Sequence, residues 1–379
     1  EGVYMLSSLR VYDQIKTTMN IGGALVIDYN LPNGQLVYTN MLSHTTPEET
    51  EFRDDLYIGA NYHRAFLDRS KYTSLLLNNS LRLEQQLGIV KLDASVSSVS
   101  VDKEYNIRYQ SNFKDVADPL PFYNDSITEA RKLAMEPWEV YNGLNPGADS
   151  TARYTNTILT PANYDEKQLM ADLNLKLPLR ISDNIDINVK LGAKYLRKDR
   201  NYDEQLYVDK YSHVIEAIKD ETQDWLLAND LIENEENRVF YFYRFRDYDY
   251  DNGDNYMGGN GRYYSDWVID ADIMDEFWLE QVNVDPETTV LTTRVGHGSR
   301  DYWGWERLAA AYAMAEINVG KKLTIIPGIR FEQLHNEYSA YKISGSTMDS
   351  WTIHDTLTKP VDHNNLLPHL HLRYRITDW

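Results

Sequence analysis

The sequence predicts an all-β fold: a transmembrane antiparallel β-barrel segment with short turns on one rim and long outer loops carrying local helices. Three observations predict it. Apolar and polar residues alternate over segments of about eleven residues, as in Leu169–Leu179, roughly twice the length of an ordinary strand. Tight turn signals take turns along the chain with very long polar connections. The 29 Tyr and 8 Trp supply rings with an apolar body and a polar tip, which suit membrane interfaces.

The elements follow in order. Ile21–Tyr29 and Leu36–Leu42 flank Leu31-Pro32-Asn33-Gly34, whose Asn-Gly step is a strong tight-turn signal. Tyr72–Leu83 and Val90–Val101 flank a link with Gln85, Gln86 and Gly88. Between Leu42 and Val101 the strands do not alternate cleanly between rims.

The clearest hairpin comes next. Leu169, Ala171, Leu173, Leu175, Leu177 and Leu179 alternate with Met170, Asp172, Asn174, Lys176 and Pro178, and Ile185, Ile187, Val189, Leu191, Ala193 and Tyr195 with Asp186, Asn188, Lys190, Gly192 and Lys194, across a link containing Ser182 and Asp183. Period two gives each strand one apolar and one polar face. Ala309–Val319 and Leu323–Phe331 flank Gly320-Lys321-Lys322, and Leu366–Ile376 is the last strand. About ten to twelve strands are expected in all.

Length separates a membrane barrel from a soluble sheet. Eleven residues at ~3.3 Å span roughly 36 Å, and a tilt near 40° leaves about 28 Å along the axis, close to an apolar band of ~25 Å. The long connections fall at about 102–166, 196–302 and 335–364 within a single barrel domain spanning 1–379. Ile127–Met135 and Val214–Ile232 have helix-forming composition inside them.

Composition narrows the function. Asp and Glu number 58 against 38 Lys and Arg, a formal net charge of −20 that disfavours nucleic acid as a partner. With no cysteine there are no disulfides, Fe–S clusters or thiolate zinc sites. Mean hydropathy is negative, as it is when every second strand residue faces water. No run approaches the ~18 apolar residues of a transmembrane helix. The chain opens at Glu1 without an initiator Met or signal peptide and ends in Ile376-Thr377-Asp378-Trp379, so a segment of a longer protein is expected.

Ala311-Tyr312-Ala313-Met314-Ala315-Glu316-Ile317 through Leu323-Thr324-Ile325-Ile326-Pro327-Gly328-Ile329-Arg330-Phe331-Glu332 resembles the barrel of TonB-dependent receptors. Asn365-Leu366-Leu367-Pro368-His369-Leu370-His371-Leu372-Arg373-Tyr374 looks like the next strand of that family, and Asp28 to Gly34 like an early hairpin. The resemblance covers most of the strands and none of the loops. It implies a cell outer-membrane receptor for active import of a scarce nutrient, with outer-membrane lipid around it. The TonB complex of the inner membrane would energise it through a plug domain. The plug with its energy-coupling box and the closing strands are not seen here. A family barrel has 22 strands, so this chain holds about half of a wall.

The most unusual stretch runs from Phe240 to Trp267. Tyr241, Tyr243, Arg244, Arg246, Tyr248, Tyr250, Asp251, Asn252, Tyr256, Tyr263, Tyr264 and Trp267 are candidate ligand-binding residues, with Trp303 and Trp305 further on. Rings stack and polar tips orient, which suits a small solute such as a metal chelate, an oligosaccharide or a peptide. The bland reading of the same residues is aromatic packing on neighbouring loops. A surface lipoprotein is a further candidate partner.

Other chemistry is poorly supported. Counting from Asp247, an EF-hand needs Gly sixth and a carboxylate twelfth, where the chain has Asn252 and Gly258. His369 and His371 share a strand face with Arg373 and Arg375, a lumen stripe rather than a metal site. No nucleophile motif or phosphate-binding loop stands out, so the reading is no enzyme, no cofactor and no metal. The alternatives are a secreted all-β carbohydrate-binding or glycan-processing protein and a surface adhesin or assembly factor.

Overall fold

A computed structural model of the chain describes residues 7–115, 128–143, 150–210, 220–236, 238–251, 267–281, 292–293, 300–344 and 352–376. Nine long strands make one continuous antiparallel wall: β1 (Leu9–Leu31), β2 (Gly34–Tyr57), β3 (Tyr62–Leu87), β4 (Val90–Asp115), β6 (Ala162–Ser182), β7 (Ile185–Glu204), β10 (Tyr302–Val319), β11 (Leu323–Ser344) and β12 (Thr352–Tyr374). Each of the first eight contains one of the segments recognised by alternation, and β12 overlaps the last, Leu366–Ile376, ending two residues short of it. Three short strands branch from the outer end of β4: β5 (Arg153–Leu159), β8 (Tyr207–Lys210) and β9 (Thr292–Thr293).

One rim is built from tight turns. Asn33, Gly88 and Gly320 adopt φ of 62°, 62° and 58° there, a left-handed backbone that asparagine and glycine tolerate. The opposite rim carries the long connections with one exception. β2 and β3 join there through the single turn Ile58–Ala60, closed by Asn61 at φ 49°. That tight outer turn explains why the strands between Leu42 and Val101 did not alternate cleanly in the sequence.

The strands are longer than their alternation suggests. β3 and β4 have 26 residues each, and at ~3.3 Å per residue they reach far past an apolar band of ~25 Å. Outside the band both faces meet water, so the two-residue pattern fades while the hydrogen-bond ladder continues. The expected connections shrink accordingly. β4 runs to Asp115 and β6 starts at Ala162; β11 runs to Ser344 and β12 starts at Thr352, so most of 335–364 is strand rather than loop.

Among the described residues four short α-helices lie in the connections: α1 (Glu129–Ala134), α2 (Pro137–Tyr141), α3 (Asp220–Ala228) and α4 (Ala271–Asp275), which continues as a π-helical turn, Glu276–Gln281. α1 and α3 fall inside the two helical stretches read from composition. Thr128 and Asp270 cap α1 and α4 by accepting backbone N–H groups. No described helix is long and apolar enough to cross a membrane.

The connection after β7 folds into a cap with its own core. Phe240, Phe242, Phe245, Trp267, Phe277 and Trp278 are buried together and pack on Phe52, Leu67, Tyr109 and Phe113 at the outer ends of β2 to β4. An extra residue in β4 opposite Lys71/Tyr72 turns Tyr109 and Phe113 to that side.

Candidate ligand-facing site

Register sorts the wall into two faces. Reading partner to partner across nine strands, Tyr29, Leu36, Leu83, Ala94, Leu173, Ala193, Ala311, Phe331 and Leu366 form one unbroken apolar row. The adjoining row on the other face reads Asp28, Val37, Arg82, Ser95, Asp172, Lys194, Ala310, Glu332 and Asn365. No second sheet covers the apolar row among the described residues; Leu366, Leu173 and Phe331 on it are exposed. A water-soluble sandwich would bury that row, whereas a barrel turns it to hydrocarbon and its partner row to an aqueous bore.

The bore face is richest in chemistry in the outer halves of the strands. Arg200 of β7 donates to Glu166 of β6 at 2.6 Å and to Glu306 of β10 at 3.2 Å. The Tyr338 hydroxyl on β11 donates to the same Glu306, and Tyr164 donates to Glu166. Arg53 joins Glu51 and Asp68 at 3.2 and 3.1 Å and lies 4.2 Å over the Phe66 ring. Lys103 sits over both Tyr72 and Tyr105. These chains of paired charge and phenol hold their side chains in fixed positions along the bore.

Where β4 exchanges β6 for β5 as its neighbour, the wall opens into a cleft of about 330 Å³. Glu49, Glu51, Asp68, Arg108, Glu204 and Arg300 line it. Arg108 donates to Glu204 at 3.0 Å and to the Tyr202 hydroxyl at 3.2 Å. Arg300 meets the same carboxylate at 3.2 Å and keeps an exposed side chain, so its remaining donors stay open to a solute. Sequence reading missed this cleft because its residues lie far apart in the chain; only the strand register brings them together.

The candidate residues from the sequence divide. Trp267 is buried, stacked on Phe242 at 4.8 Å and edge-on to His63 at 4.2 Å. It is a packing residue of the cap, not a ring presented to solvent. Tyr250 anchors the cap to the wall, its hydroxyl donating to Asp13 at 2.6 Å and its ring meeting Phe52. Tyr248 is exposed on the cap, while Tyr241, Tyr243, Arg244 and Arg246 are half-buried: Arg244 donates to Tyr243 and Asp230, and Arg246 lies over Tyr248. Asp251 is exposed, while Asn252, Tyr256, Tyr263 and Tyr264 lie outside the described residues.

Trp303 and Trp305 do not join the loop cluster. Odd-numbered residues of β10 share the face of Ala309 and Ala311, so both tryptophans stand on the lipid side at its outer edge. Trp303 packs edge-on to Tyr341 at 5.3 Å. Rings at that level form an interfacial girdle. Among the described residues no group of three His, Asp or Glu converges as metal ligands.

An apolar belt, a polar bore, short turns at one rim and a folded cap at the other define the wall of a transmembrane β-barrel. More narrowly, the family model described as TonB dependent receptor-like, beta-barrel matches residues 11–379, and this chain belongs to that family. Among curated proteins none matches the sequence.

Solved structures resemble it at low identity. The ferric citrate transporter FecA in its unliganded form matches at 12% identity and a TM-score of 0.36, over 98% of this chain and 42% of that one. The closed form of the ferric-catecholate import receptor Fiu from E. coli K12 matches at 10% and 0.42, over 98% and 48%. BauA, the ferric preacinetobactin receptor from Acinetobacter baumannii, matches at 9% and 0.37, over 97% and 45%. The chain therefore spans less than half the length of these structures.

Proposed function

We propose that this chain forms the wall and outer loops of an active-import receptor in the cell outer membrane. The cap surface around Tyr241, Tyr243 and Tyr248 meets a scarce small solute first. The charged cleft beside Arg108, Glu204 and Arg300 receives it next, and the bore passes it inward. The TonB complex supplies the energy through a plug domain, and a surface lipoprotein is a candidate helper over the cap.

One observation carries this reading: a continuous lipid-facing row and a charged, tyrosine-rich bore face occupy opposite sides of one sheet, with the cleft at its outer end. Matched cations and carboxylates suit a solute that bears both charge and hydroxyl or amide groups. A metal chelate, an oligosaccharide and a peptide all qualify.

The test uses the full-length receptor in a strain lacking its own copy. Uptake of labelled ferric chelates, oligosaccharides and peptides is compared with and without TonB, and with Arg300→Ala. One solute class is expected to need both receptor and TonB and to lose uptake affinity in the variant. If no class depends on the receptor, import is the wrong function.

A further inference from the structure

The apolar face ends at its outer edge in two arginines that stand directly opposite each other. Arg197 of β7 and Arg307 of β10 are register partners. Like charges in that relation repel, so a sheet that keeps them there needs a compensating anion. Arg197 turns part of its guanidinium onto Asp199, with Nε and Nη2 donating at 3.0 and 2.9 Å, yet its side chain stays half exposed. Arg307 makes no ion pair among the described residues. Both guanidiniums flank the Trp305 ring, at 5.7 and 5.9 Å from its centroid, and that ring stacks on His335 at 4.8 Å.

The height of this pair is set by the strand. From Val319 at the short-turn rim to Arg307, ~3.3 Å per residue and a tilt near 40° give roughly 30 Å along the axis. That is the outer interface of a band ~25 Å tall. Immediately on the membrane side lies a groove of about 410 Å³. Ala171, Ala193, Ala309 and Ala311 floor it, and the Tyr195 and Phe331 rings wall it. Acidic neighbours on the same face are Asp199, Glu337 and Asp362; Asp362 pairs with His335.

We propose that this is a binding site for one phosphorylated lipid of the outer leaflet. The headgroup phosphate sits between Arg197 and Arg307 beside Trp305, and an acyl chain lies in the alanine-floored groove below. Phosphate and chain address adjoining features, so a free phosphate ion satisfies only half of the site. The wall then carries a lipid as a fixed part of its outer rim.

The test is thermal unfolding of the full-length receptor in detergent, titrated with dioleoyl phosphatidylglycerol, dioleoyl phosphatidylcholine or inorganic phosphate. Phosphatidylglycerol is expected to raise Tm, and phosphatidylcholine and inorganic phosphate to leave it unchanged at equal concentration. Arg197→Gln/Arg307→Gln should weaken the phosphatidylglycerol response by about tenfold, the factor expected for lost charge-assisted hydrogen bonds. Should that variant not fold, Ala311→Phe fills the groove with both arginines in place and should weaken the same response. Equal stabilisation by phosphatidylcholine or by inorganic phosphate overturns the proposal, as does an unchanged response in whichever variant folds.

Discussion

The Tyr312 ring lies across the backbone of Gly192, where a Cβ would come within 2.2 Å of the ring. From there its hydroxyl reaches Asn174 at 2.9 Å, two strands away in the register. The glycine is a bore-face position kept empty so that one phenol can bridge β10 to β6 over β7. Gly192→Ala is therefore expected to cost about 1–3 kcal/mol by overpacking, read as a lower unfolding temperature of the detergent-folded receptor. On a Tyr312→Ala background most of that cost should vanish, because the ring is gone and the remaining close atom, Asn174 Oδ1 at 2.7 Å from the added Cβ, ends a side chain freed from its phenol partner. Tyr312→Phe keeps the ring and loses one hydrogen bond, about 1 kcal/mol. A Gly192→Ala penalty that persists without the ring would refute this account.

The cap separates packing from contact. Trp267 is 5% exposed and Tyr248 is 65% exposed, although both stood in one aromatic run of the sequence. Trp267→Ala should cost about 3–5 kcal/mol of cap stability, seen as faster proteolysis within 238–251 while the barrel keeps its heat resistance. Tyr248→Ala should stay within about 0.5 kcal/mol, so any loss of uptake affinity there reports solute contact. Equal proteolysis of the two variants would mean that the cap core is wrongly assigned.

These two cases show what the sequence carried and what it did not. All nine wall strands announced themselves where one face meets lipid, because hydrocarbon enforces the two-residue period. Beyond the band, residues such as Lys103, Glu104 and Arg108 of β4 continue the ladder on both sides of the bulge at Asn106 with no such period, so the strand was read as loop. The aromatic run held a finer signal than its density: Phe240, Phe242 and Phe245 turn into the core, whereas Tyr241 and Tyr243, whose hydroxyls need a polar partner, stay half-buried and Tyr248 is exposed. Trp303 and Trp305 were misplaced for want of the strand register, which puts them on the lipid side. The charged cleft was invisible because Glu51, Arg108, Glu204 and Arg300 meet only through that register.

Asp270 gives the cap a dependence on pH. Its carboxylate caps α4, accepting the N–H groups of Asp272 and Ile273 at 2.9 and 3.0 Å. Burial pushes its pKa above the ordinary carboxylate range, with Asp247 and Asp272 adding to the rise and the two N–H groups opposing it. The folded cap thus binds this proton more tightly than the unfolded chain does. Its contribution is whole below the ordinary carboxylate value and is lost as pH rises through the folded one. Asp270→Asn keeps an acceptor without charge and should flatten that slope, whereas Asp270→Ala should cost about 1 kcal/mol of capping. Hydrogen exchange of 271–281 at two pH values measures both. An Asn variant with the native slope would assign the dependence to another group.

Asp275 ties the cap to the wall more firmly than any surface pair could. One oxygen accepts from Arg69 Nη2 and Nε at 2.5 and 3.2 Å, and the other accepts from the Tyr109 hydroxyl at 2.5 Å. Arg69 is itself largely buried, with Thr50 and Glu48 as its other partners. Removing the carboxylate leaves a partly buried guanidinium and a buried phenol under-satisfied, so Asp275→Ala should loosen the cap by about 1–3 kcal/mol. Salt should change that cost little, since water reaches the pair poorly. The Arg82–Asp93 pair on the exposed bore face offers the contrast: a 2.6 Å contact with Arg82 half exposed, where Asp93→Ala should cost under about 1 kcal/mol and less in high salt. Cap proteolysis at low and high ionic strength reads the first and the unfolding temperature of the detergent-folded receptor the second, and an Asp275 effect that salt abolishes would show that the cap rests on the wall by surface charge rather than by its buried contacts.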